Sequence, residues 1–174
     1  MTRTEYIRLR ERYHPKHVKI IFVLESPPIS GLYFYNPEGL VSEPLFRAMM
    51  KDVLDLQPKS KHEGLTEFAA HGYLLIDATY TPVNGLSSDG RDAVIEKDLP
   101  LLVEELHRYA DNDSKVILVK VNVCKLLESR LVDQGFTVLN RGTRIPFPST
   151  GQQNKFRNLV RPMLGLDLMP SAAH

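Results

Sequence analysis

Three stretches of this chain are apolar without alternation: "KIIFVL" at 19–24, "YLLI" at 73–76 and "KVILVKV" at 115–121. A strand with one wet face alternates polar and apolar residues, whereas a strand covered on both faces does not. Each run therefore reads as a strand with helices above and below it. The intervening segments carry a helical period instead. In "EPLFRAMMKDVLDL", 43–56, the residues Leu45, Phe46, Met49, Met50, Val53 and Leu54 fall at helical spacing, and Pro44 suits the first turn. "RDAVIEKDLPLLVEELHRYA", 91–110, reads as helix, with Pro100 either kinking it or starting a second helix capped by Asp98. "NVCKLLESRLVDQG", 122–135, reads as a helix with Asn122 as its cap and Gly135 as its stop. "TEYIRLRERY", 4–13, opens the chain as a helix, "FTVLN", 136–140, is a fourth strand, and "GQQNKFRNLVRPML", 151–164, is a closing helix. Strands alternating with helices predict an α/β fold. The expectation is a three-layer α/β/α sandwich with a central, mainly parallel four-stranded sheet, and residues 1–174 as one domain.

Composition narrows the function classes. The net charge of +1 excludes a strongly basic nucleic-acid coat but leaves room for a local basic patch. Cys124 is the only cysteine, so one chain forms no internal disulfide, no cysteine-rich zinc site and no cysteine-ligated iron–sulfur cluster. No metal or cofactor motif stands elsewhere, and a cytoplasmic location is expected. "MTRTEYIRLRERYHPK" is charged throughout and lacks an apolar signal core, and no apolar run approaches the roughly 18 residues of a membrane span.

Ligands of open parallel sheets bind outside the carboxyl ends of the strands. Here those ends read Glu25-Ser26-Pro27-Pro28, Asp77-Ala78-Thr79, Asn122-Val123-Cys124 and, after the fourth strand, "NRGTRIPFPSTGQQ". Glu25 is placed to face a ligand or a water, or else to brace a loop. Tyr33-Phe34-Tyr35 either packs in the core or turns at least one ring to the cleft, since three consecutive side chains do not point one way. Asp77 ends a buried strand, where an acid is costly unless paired or set in a cleft. Arg141, Arg144, Lys155 and Arg157 flank Ser149, Thr150 and Gly151 just ahead of the last helix. That pattern suits a phosphate at a helix start, or a simple Ser or Thr cap.

In order and spacing these segments resemble the uracil-DNA glycosylase superfamily, over about Lys19 to Leu164. "ESPP" is similar to the family's GEAPG-type motif, with Glu25 and Pro27 at its acid and proline. "GLYF" is similar to the GLAF-type stretch, which implies that Phe34 stacks on a flipped base. "GYLLIDATYT" is similar to the GVLLLNTVLT strand, which puts Asp77 at the asparagine that reads the uracil edge. "FPSTGQQNKF" is similar to the HPS motif and the loop that enters the minor groove, with Phe147 at the histidine. The resemblance implies a base-flipping fold whose partner is a nucleobase or DNA.

The chain departs from that pattern at the chemistry. Phe147 replaces the histidine that stabilises the departing base, and loss of such a donor costs about 10²–10³ in rate. Ser26 stands where the GQDPY type has its water-activating aspartate, which leaves Glu25 as the acid able to orient water. An ionised Asp77 only accepts hydrogen bonds, so it suits a guanine-like edge with two adjacent donors and repels uracil's carbonyl. The expected catalytic positions are Glu25 and Ser26. The expected base-binding positions are Phe34, Asp77 and Phe147. A basic rim of Arg141, Arg144, Lys155 and Arg157, with Ser149, is expected to hold nucleic acid weakly and in a salt-dependent way. Two functions are open here: a divergent N-glycosidic hydrolase that acts poorly on uracil, and a non-catalytic nucleobase or nucleic-acid binding module.

Overall fold

Four strands, β1 (Ile20–Leu24), β2 (Tyr73–Asp77), β3 (Lys115–Leu118) and β4 (Thr137–Val138), form one sheet in the order β2-β1-β3-β4. All pairings are parallel. The computed structural model describes residues 1–168, so the end of the expected 1–174 domain lies outside the described residues. Every residue of β1 and of β2 is buried, as their unbroken apolar runs require. Around the sheet lie α1 (Arg3–Glu11), α2 (Pro44–Arg47), α3 (Lys61–Ala70), α4 (Ser88–Tyr109), α5 (Val121–Asp133) and α6 (Gln153–Met163). Parallel strands are joined by right-handed crossovers. The step from β1 to β2 carries α2 and α3, whereas the return from β2 to β3 carries α4 in the opposite direction. The two groups of helices therefore cover opposite faces, α3 packing on β2 and α4 on α5. The three-layer α/β/α arrangement is the one expected, with the order of connection reversing between β1 and β3.

Several local expectations are corrected. The 43–56 helix is α-helical only to Arg47; Ala48–Val53 widens into a π-helix, and Leu54 N–H reaches back to Met49 O at 3.1 Å. The wider turn keeps Ala48, Met49, Met50 and Val53 all buried, against α6. The helix α3 carries too few apolar residues to show a period; its signal is Ser60, whose hydroxyl accepts the Glu63 N–H at 3.1 Å. α4 runs unbroken through Pro100 from a cap at Ser87.

Two more corrections bear on the site. β3 stops at Leu118 rather than at residue 121. Beyond it, Val119 bridges to Ile145, and Lys120 N–H donates to Ile145 O at 2.8 Å. β4 is short because the Asn140 side chain replaces backbone pairing: its Oδ1 accepts from Leu118 N–H (2.9 Å) and its Nδ2 donates to Leu118 O (2.8 Å). Lys120, not Asn122, occupies the cap position of α5, with φ 87° and ψ 136°.

Candidate functional site

A cavity of about 500 Å³ opens at the carboxyl ends of the strands, within the roughly 300–1,000 Å³ usual for small-molecule sites. Glu25, Ser26, Phe34, Asp77, Phe147 and Ser149 all line it. The expected catalytic and base-binding positions, drawn from three distant segments, thus share one cavity. The basic positions do not: Arg141, Arg144, Lys155 and Arg157 are absent from the lining. Arg141, Arg144 and Lys155 are exposed, while Arg157 donates to the carbonyls of Asp52 and Leu168, both at 3.3 Å. Neither Ser149 nor Thr150 caps α6; Gln152 holds the cap position without a side-chain bond.

The loop between β1 and α2 has no regular structure, and buried contacts fix it instead. Lys61, fully buried, donates to Tyr33 O and to Glu43 Oε2, each at 2.8 Å. A Cβ at Gly39 would meet Glu43 Oε1 at 2.2 Å, so a larger residue there would displace the end of the Glu43 side chain. Ser26 Oγ accepts the Val83 N–H at 3.2 Å, and Asn84 Oδ1 accepts the Ile29 N–H at 3.0 Å. Ser26 thereby ties the β1 loop to the β2 loop.

The aromatic run is core first. Tyr33, Phe34 and Tyr35 are all buried, and the Tyr35 hydroxyl accepts the Leu75 N–H at 2.9 Å. Phe34, only 3% exposed, packs edge-on against Tyr35 and Phe68. Yet Tyr33 and Phe34 also border the cavity, and the Tyr33 hydroxyl is buried with no partner among the described residues.

Glu25 is 6% exposed and is held at both oxygens: Lys120 Nζ lies 2.5 Å from Oε1 and Asn122 Nδ2 lies 2.5 Å from Oε2. Asn122, expected as a helix cap, serves the carboxylate instead. β1 and β3 flank the reversal of strand order, the place where open α/β sheets bind ligands. The Glu25–Lys120 pair spans it.

The expectation of an ionised Asp77 does not hold. Burial pushes its carboxyl up to about 8, with Arg10 opposing and Glu105 and Glu25 adding to the rise. Among the described residues its causes are burial and neighbouring charges. At neutral pH Asp77 is therefore mostly protonated, and a carboxylic acid both donates and accepts.

Lys120 and Asn84 are lining residues that the sequence reading passed over, whereas Asn122 stood there as a cap and strand-end residue and Tyr33 as part of the aromatic run. Lys120 was within reach of the strand-end rule, had β3 been ended at Leu118. Lys120, Phe147 and Ser149 also border a second cleft of about 480 Å³, with Arg91, Lys125 and Gln152. The cations that line this second cleft are thus Arg91, Lys120 and Lys125. Among the described residues no cluster suits a metal ion, and no helix is long and apolar enough to cross a membrane. Comparisons with protein families, curated proteins and solved structures return no match.

Proposed function

We propose that the chain is a nucleobase-binding protein of the glycosylase-like type, which takes a flipped or free base into the 500 Å³ cavity. The observation that carries this reading is the meeting of Glu25, Phe34, Asp77 and Phe147 around that one cavity. These are the positions where the resemblance implies an acid, a stacking ring, an edge reader and a leaving-group stabiliser. The base lies between Phe34 and Phe147, and Asp77 reads its edge. In its acid form Asp77 offers uracil's N3–H an acceptor and the adjacent carbonyl a donor, as an asparagine does. Binding of a uracil-type edge and its excision then separate. Excision is slow because Phe147 donates no hydrogen bond to the departing base. It is slowed further because both Glu25 oxygens already carry partners.

The second reading, a binding module that breaks no glycosidic bond, is favoured by the same occupied carboxylate. Titration with free uracil, paired with single-turnover assay of a uracil-containing oligonucleotide, tests both. Binding with slow excision supports the first reading, binding without any excision the second, and no binding contradicts both.

A further inference from the structure

Lys120 is the only cation lining the cavity among the described residues. Its side chain is 29% exposed, and it stands where the cavity meets the second cleft. Its backbone, at φ 87° and ψ 136°, lies near a region that only glycine enters freely. The Ile145 carbonyl holds it there. The amine also has a proton acceptor in contact: Glu25 Oε1 at 2.5 Å, on a carboxylate steadied by Asn122. An amine with a general base in contact, lining a cavity, is the arrangement of a carbonyl-condensing lysine.

We propose that Lys120 forms an imine with the C1′ aldehyde of a ring-opened abasic sugar, the product that base loss leaves in nucleic acid. This rests on the nucleobase reading of the cavity, since the sugar of a base held there would reach the junction at which Lys120 sits. The ammonium passes a proton to Glu25, and the neutral nitrogen attacks C1′. A C–N bond forms as the carbonyl pair moves to oxygen, which takes a proton from the carboxyl. A second proton follows the same route, the C–O bond breaks and water leaves. Ammonium and aldehyde give one iminium ion and one water, with no change of oxidation state.

The test uses the full chain and an oligonucleotide with a single abasic site, with sodium borohydride to reduce the iminium to a stable amine. Peptide mapping by mass spectrometry of the unmodified protein locates the cross-link. The expected result is a cross-link at Lys120 at about tenfold the yield at any other lysine. Lys120→Gly, which suits the backbone, is expected to fold and to lose that cross-link. No cross-link, an even spread over surface lysines, or full trapping by Lys120→Gly overturns the proposal. Free-uracil titration of the same preparation separates the two claims. Uracil binding without trapping overturns the imine alone, and trapping at Lys120 without uracil binding overturns the base pocket alone.

Discussion

The ammonium of Lys120 stands 2.5 Å from Glu25 Oε1 and so joins the end of β3 to the end of β1, where the order of strand connection reverses. A charge pair thus stands in the cavity lining between the two strand ends. Glu25→Gln removes the charge and leaves the lysine without its partner. Because Lys120 is partly exposed and water screens it, the expected loss is about 1–3 kcal/mol, read as a lower urea midpoint at constant slope. An unchanged midpoint would show that the pair is not a brace.

The backbone at Lys120 gives an independent prediction. Both Lys120→Ala and Lys120→Gly lose the ion pair, but only glycine is free of strain at φ 87°. Lys120→Gly is expected to be the more stable of the two by about 1–2 kcal/mol, despite glycine's larger entropy loss on folding. Equal stability would mean that the residue does not hold this conformation in solution.

Asp77 predicts a pH dependence of stability. Its folded value of about 8 lies above its ordinary value of 3.8, so the folded chain keeps a proton that the unfolded chain releases between those values. The contribution is fully present below pH 3.8 and is lost as pH rises to about 8. Asp77→Asn carries no such term. It is expected to match the parent near pH 4 and to exceed it by roughly 4–6 kcal/mol above pH 8. A difference that stays flat across this range would place the ionised form in the folded protein.

The course of the chain explains what was readable in advance. β1 and β2 announce themselves because burial on both faces leaves no room for polar residues between Ile20 and Leu24 or between Tyr73 and Ile76. Glu25 and Asp77 were legible as the first acids after those runs. Lys120 was not, because a run that reads apolar through Val121 conceals that pairing passes from β4 to Ile145 after Leu118. The charge state of Asp77 is a property of tertiary burial, and no local pattern encodes it. Arg141, Arg144 and Lys155 cluster in sequence, yet the cations that border the second cleft are Arg91 from α4 and Lys120 and Lys125 from the start of α5.

Phe147→His restores a donor where the departing base needs one. Single-turnover release of uracil is expected to rise about 10²–10³-fold over the parent, with binding of free uracil little changed. Rapid excision by the unmodified protein would show that Phe147 is not the limiting departure.

If nucleic acid crosses the exposed Arg141, Arg144 and Lys155, replacing all three by alanine lowers the log–log salt dependence of binding by about two to three. An unchanged slope would move the interface to the cleft lined by Arg91 and Lys125.

The most direct test of the central claim is titration of the protein with free uracil, followed by backbone NMR at pH 6.5 and at pH 9, beside Asp77→Asn. The account predicts one-to-one binding that shifts the amides of Glu25, Phe34, Asp77 and Phe147. It also predicts that the parent weakens by about tenfold at the higher pH relative to the asparagine variant, as a carboxyl with a value near 8 loses its proton. Shifts confined to other surfaces, or equal affinity at both pH values for parent and variant, would contradict it.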